Sequence, residues 1–166
     1  SYSHSTLARK ASLERAMIYR NLRQNDQAIA AYRQTIEKYP ATEEAYTALD
    51  ALQALYVESG NVNEYLAYTK NLAKMNMNVT TQEDSLLYAA AEMQYMQAAY
   101  QKASVALNNY ITQYCAGGRY CTTARYYLAD SYYRLGKTSD ALAQYSVLAE
   151  MNAGTNNCYF AVTDNR

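Results

Sequence analysis

The sequence has very little that breaks a helix: one proline and five glycines in 166 residues. Its remaining stock is rich in Ala, Gln, Leu, Tyr and Met, which points to an all-α chain. There is one histidine, His4, near the start of the chain. A lone imidazole leaves no Ser-His-Asp or Cys-His pair and no histidine metal site, so hydrolysis by those routes and a resident metal are not expected. No GxxxxGK[ST] or GxGxxG stretch occurs, so a phosphate group has no recognisable cradle and no cofactor is expected. Net charge of one sign is also missing, with fifteen basic residues against fifteen acidic ones. A neutral chain has no global field for a phosphate backbone or an anionic bilayer, and nucleic acid is not the expected partner. Apolar runs fall well short of the roughly 18 residues a membrane span needs, and SYSHSTLARK has no apolar centre of the secretory type.

Three cysteines, Cys115, Cys121 and Cys158, do not make an even disulfide framework, and none is spaced as a zinc CxxC pair. Two readings stay open. Either all are reduced thiols, or Cys115 and Cys121 bridge the loop CAGGRYC, which requires an oxidising compartment.

The few punctuators fall at intervals: Pro40, Gly60, Gly117-Gly118, Gly136 and Gly154. Between them apolar residues recur at helical spacing, as in Leu128, Ala129, Tyr132 and Leu135, or Ala141, Leu142, Tyr145 and Leu148. The pattern predicts amphipathic helices of about 13 to 18 residues.

Self-similarity then organises the chain. Thr122 to Met151 carries Leu128-Ala129 and Tyr132 on a first helix, Gly136 at the turn, and Ala141, Tyr145 and Leu148 on a second. This unit resembles the tetratricopeptide repeat, a helix-turn-helix of about 34 residues with small, aromatic and glycine marks at fixed offsets. An earlier copy has Ala16, Tyr19, Ala28, Tyr32 and Pro40 in step, with Arg23 in place of the turn glycine. The copy between Asp84 and Cys115 offers Ala91, Ala103 and Leu107, with Ala98 at the turn and Gln94 at the aromatic position. The copy from Tyr46 keeps Leu52, Tyr56 and Gly60 but has Gln53 and Tyr65 where small residues are usual. The resemblance implies a right-handed α-α superhelix, a single solenoid domain over 1–166. Its four units lie at about 9–42, 46–79, 84–117 and 122–154, and 155–166 begin a further helix or form a disordered end. The stretch YITQYC to TTARYYLADSYYRLGK is also similar to segments of bacterial outer-membrane assembly lipoproteins and Tol-Pal-associated proteins, which implies a periplasmic or outer-membrane-associated setting.

In such an array Ala16, Ala28, Ala91, Ala103, Ala129 and Ala141 are expected where helices approach closely, and Tyr19, Tyr32, Tyr56, Tyr132 and Tyr145 are expected in the core. The family's concave groove, lined by fixed first-helix positions, maps onto Met17, Arg20, Tyr88, Glu92, Tyr95, Tyr126, Asp130, Tyr133 and Arg134. Exposed Tyr, Met and Arg are enriched at interfaces, so these residues form the expected partner-binding groove. Lys and Asn clamp residues of the chaperone-binding branch are replaced by Leu13, Asp50, Tyr88 and Tyr126 and by Met17, Ala54, Glu92 and Asp130, so a terminal carboxylate is not the expected ligand. Glu92 and Asp130 read as groove acids rather than as a catalytic pair. The expected function is a non-catalytic scaffold for a protein or peptide; the alternative is a glycan or small ligand stacked on the same tyrosines. The last stretch, AGTNNCYFAVTDNR, brings no covering helix, so self-association or a continued array is also expected.

Overall fold

In a computed structural model of the chain, residues 4–116 and 120–151 are described. The protein is all-α. Its helices are α1 (His4–Asn21), α2 (Asn25–Lys38), α3 (Glu43–Ser59), α4 (Val62–Leu72), α5 (Glu83–Met96), α6 (Tyr100–Tyr114), α7 (Cys121–Arg134) and α8 (Thr138–Met151), with a 3-10 turn at Ala73–Met75 and no strand among the described residues. The helices pair as the four repeats require: α1 with α2, α3 with α4, α5 with α6, α7 with α8.

The register of these pairs is written in their turns. Arg23, Gly60, Ala98 and Gly136 all have a positive φ, between 59° and 78°. At each one the first helix closes with the same two backbone bonds. In the last repeat Gly136 N donates to Tyr133 O (3.0 Å) and Lys137 N to Tyr132 O (2.8 Å). In the first, Arg23 N donates to Arg20 O and Gln24 N to Tyr19 O, both 2.9 Å. Only two of the four positions hold the glycine that this conformation favours; Arg23 and Ala98 adopt it regardless.

The chain divides into two compact units, residues 1–81 and 82–166, each with two repeats. Successive helices pack in both, and the first helices, α1 and α3 or α5 and α7, lie side by side. All six alanines expected at close approaches are buried. Tyr65 occupies the corresponding place in the second repeat; it is buried too, with its ring 6.3 Å from that of Tyr56. Tyr65 puts a phenol where the other repeats have a methyl, and α3 and α4, of which α4 is the shortest helix, meet less extensively than the other pairs. Of the expected core tyrosines, Tyr32 and Tyr56 are buried, while Tyr19, Tyr132 and Tyr145 are half-buried.

Local chemistry fixes α3 within unit 1. Thr42 caps it, accepting a bond from Ala45 N (3.2 Å), and Glu43 and Glu44 stand in its first turn, where the helix dipole favours acid. Glu44 is buried and takes a 2.8 Å bond from Arg9 Nε of α1. That guanidinium holds the Glu44 carboxyl below its usual range.

Candidate functional site

On α5 the residues Tyr88, Glu92 and Tyr95 follow at spacings of four and three, and on α7 so do Tyr126, Asp130 and Tyr133, with Arg134 beside them. This spacing places each set on one helix face. Both helices belong to unit 2.

Tyr88 does not line an open surface, which corrects the expectation from sequence: it is only 6% exposed. Its ring is stacked on Tyr120 at 4.4 Å with planes 7° apart and meets the ring of Tyr110 edge-on at 5.6 Å. Its hydroxyl donates to Glu92 Oε2 at 2.6 Å. Tyr120 comes from the α6–α7 connection, and its hydroxyl lies 3.4 Å from Ser85 Oγ. Tyr110 in turn donates to Asp84, and burial followed by that bond pushes its phenol upward. This cluster is packing, held together by ring contacts and two carboxylates.

Tyr95, half-buried, bridges the two helices. Its hydroxyl donates to Asp130 Oδ2 at 2.7 Å, and its ring stacks on Tyr127 at 4.2 Å. Burial, and then the bond to Asp130, raise its pKa well above the ordinary phenol value. Arg134 Nε donates to Asp130 Oδ1 at 3.4 Å, while its guanidinium carbon lies 5.7 Å from the Tyr100 ring centre. Asp130 raises the pKa of Arg134 through its charge. Asp130 thus holds a phenol from α5 and a guanidinium from its own helix.

Beside this arrangement Tyr126 and Tyr133 remain open, 53% and 62% exposed. Tyr126 meets Tyr145 of α8 edge-on at 5.9 Å. Tyr145, read from sequence as core, therefore flanks the open face; burial, and then the charge of Asp130, raise the pKa of its phenol. Tyr100 of α6 and Tyr127 of α7 also belong to the cluster and carry no mark in the repeat pattern; Tyr127 lies seven residues before Arg134 on the same helix, a signal the sequence offers, while Tyr100 has none because a turn separates it from Tyr95.

Unit 1 presents a different face. Met17 is exposed, and Arg20 Nη2 donates to Glu58 Oε1 of α3 at 3.3 Å. A cleft of about 150 Å³ lies between Lys10, Leu13 and Glu14 of α1 and Glu43, Glu44 and Thr47 of α3. Its character is charged, not aromatic, and Glu44 is already paired with Arg9. Among the described residues no cluster of His, Cys, Asp and Glu is gathered as for a metal ion.

Cys115, at the end of α6, and Cys121, the first residue of α7, form a disulfide with Cα atoms 5.4 Å apart. Cys158 lies outside the described residues, as do the expected further helix or disordered end over 155–166.

The registered turns, the buried alanines and the paired helices have a counterpart among known families. Residues 10–42 and 123–152 match the tetratricopeptide repeat. Two of its four helical pairs are thus similar to tetratricopeptide repeats. The matched segments are its first and last units; the two between them, in which Gln53 and Tyr65 or Gln94 and Ala98 replace the usual marks, share the same turn geometry. Tetratricopeptide repeats mediate protein–protein interaction and typically act as non-catalytic scaffolds. Among the described residues no helix is long and apolar enough to cross a membrane. Comparison with curated proteins gives no match.

Proposed function

We propose that this tetratricopeptide-repeat protein is a non-catalytic scaffold whose α5–α7 face, in unit 2, docks a segment of a partner protein. One observation carries the reading: Tyr126 and Tyr133 are open to solvent beside an Asp130 that Tyr95 and Arg134 hold in place. Rigid amphipathic rings bury large area at little entropic cost, which makes them interface anchors. Exposed Met96 on α5 adds an adaptable apolar side chain. The face suits an aromatic, aliphatic or basic segment.

Selection of peptides displayed against the protein, followed by titration of a selected peptide, tests it. Tyr126→Ala with Tyr133→Ala is expected to weaken that peptide at least about tenfold, the scale of one anchor residue. Melting should move little, because both rings are exposed. Unchanged affinity in the double variant sinks the proposal. A glycan or small ligand fits the face less well. Tyr95 and Tyr127 each spend a ring face on the other, and Glu92 and Asp130 already accept tyrosine hydroxyls, so few groups are left to grip a sugar.

For compartment we propose an oxidising one, a bacterial periplasm or the periplasmic side of an outer membrane. The Cys115–Cys121 disulfide supports this, because cytosolic thiol systems keep such pairs reduced. Native mass spectrometry of protein taken from its source, alkylated before lysis, should find Cys115 and Cys121 protected; free thiols there would remove the argument.

A further inference from the structure

The first helices of the two repeats in unit 2 carry an acid at the same place. With the left-handed turn residues Ala98 and Gly136 aligned, Glu92 of α5 stands where α7 has Asp130, six residues before the turn in each. Their surroundings differ in one respect. Asp130 has Arg134 one helical turn further on, and Arg134 Nε reaches Asp130 Oδ1 at 3.4 Å. The residue at that place after Glu92 is Met96, apolar and 61% exposed. Helix α5 carries Glu83, Asp84 and Glu92 and no basic residue that could stand in for Arg134. No salt bridge among the described residues includes Glu92.

Glu92 is nonetheless held in position. It is half-buried, and the Tyr88 hydroxyl donates to its Oε2 at 2.6 Å. The ring of Tyr88 is itself fixed by Tyr110 and Tyr120. One phenol bond leaves the negative charge in place, and an ionised carboxylate has further acceptor positions on both oxygens. A fixed anion with only a neutral partner, one turn from an exposed thioether, is a receptor for a cation. Asp130 shows which cation fits this place in the repeat. The guanidinium of Arg134 serves Asp130 while its carbon lies 5.7 Å from the Tyr100 ring centre. A planar guanidinium can bond an acid and face a phenol at once, which an ammonium does less well. At Glu92 no residue of α5 supplies that group.

We propose that Glu92 selects an arginine of the partner segment, whose guanidinium pairs with Glu92 as that of Arg134 pairs with Asp130. This rests on the α5–α7 docking reading and deepens it. Tyr126 and Tyr133 supply contact area, while Glu92 supplies the charge complementarity that chooses among partners. Met96 offers an apolar surface to the methylene stem of the arginine.

The probes are peptides selected from a random displayed library against the full chain and weakened by Tyr126→Ala with Tyr133→Ala. They should share an arginine. Its replacement by citrulline, which keeps the shape and removes the charge, should weaken binding about tenfold, the scale of a hydrogen bond to a charged group. Glu92→Gln should cost a similar factor. The citrulline peptide on Glu92→Gln should bind no more weakly than either change alone allows, since both remove one interaction. Glutamine still accepts the Tyr88 hydroxyl, and an unchanged melt shows that the variant folds. Met96→Arg, which gives α5 the pair that α7 has, should also weaken the arginine peptide with Glu92 intact. Peptides that need Tyr126 and Tyr133 but share no arginine overturn selection by Glu92 and leave the docking face standing. So does an arginine whose loss adds fully to that of Glu92→Gln. If no selected peptide depends on Tyr126 and Tyr133, the docking reading fails and this inference with it.

Discussion

The left-handed turn residues give a sharp test of register, because unit 2 contains the same backbone position once as glycine and once as alanine. Gly136 has φ +78°, and a Cβ placed on it would meet nothing within 4 Å. Ala98 has φ 59°. The steric cost of the left-handed conformation to a residue with a Cβ is about 1–2 kcal/mol. Against that, alanine loses less backbone freedom on folding than glycine, an offset of about 0.5–1 kcal/mol. With no other contact involved, Gly136→Ala is expected to destabilise by about 0.5–1 kcal/mol, and Ala98→Gly to stabilise by a similar amount. For a body of the size of unit 2 this is about 2–8 °C in melting temperature. Urea titration of the full chain, followed by circular dichroism, should show the midpoint moving down for the first, up for the second and hardly at all for the pair. If Gly136→Ala stabilises while Ala98→Gly destabilises, both sites behave as helix interior, and the alignment of the four turns is wrong.

Three further outcomes are expected. Burial pushes the Tyr65 phenol up to about 12 and raises Tyr68, Tyr95 and Tyr110 further. Unfolded phenols ionise near 10, so above that pH the unfolded state binds fewer protons and stability falls; Tyr65 alone would account for about 2–3 kcal/mol by pH 12. Denaturant midpoints read with tyrosinate absorbance should decline from pH 10 upward, and a flat profile to pH 12 would count against these burials. Replacing Cys115 and Cys121 by serine should cost about 2 kcal/mol on the chain-entropy account of so short a loop, their separation being six residues, and reductant should then have no effect on the melt. Ala129→Phe, at a fully buried alanine of α7, should cost about 1–3 kcal/mol by overpacking; an unaltered melting temperature would remove Ala129 from the interface.

Much of this fold is legible in the residues because repetition supplies several readings of one position. Arg23 and Ala98 carry no turn signal of their own, yet their spacing from Gly60 and Gly136 places them at turns, and the backbone agrees. The six alanines are readable for the same reason: a small residue where helices must touch has little freedom to be anything else. Tyr88 misleads because the groove assignment assumes that an inner first-helix face stays open. Here the α6–α7 connection, which belongs to no repeat position, lays Tyr120 across it. A face formed by a connection cannot be inferred from a helix pattern. The division after residue 81 has no mark in the repeat pattern, which runs across it at the same spacing as elsewhere.

Within each unit the packed helices are neighbours in the chain or one helix removed. Contacts of such short sequence separation form quickly, since little loop entropy is spent before packing begins. Unit 1 therefore has all its own contacts available once residue 81 has emerged, without any contact from α5 to α8 being needed. The chain can fold in two instalments as it emerges, unit 1 making its own helix contacts while unit 2 is still being made.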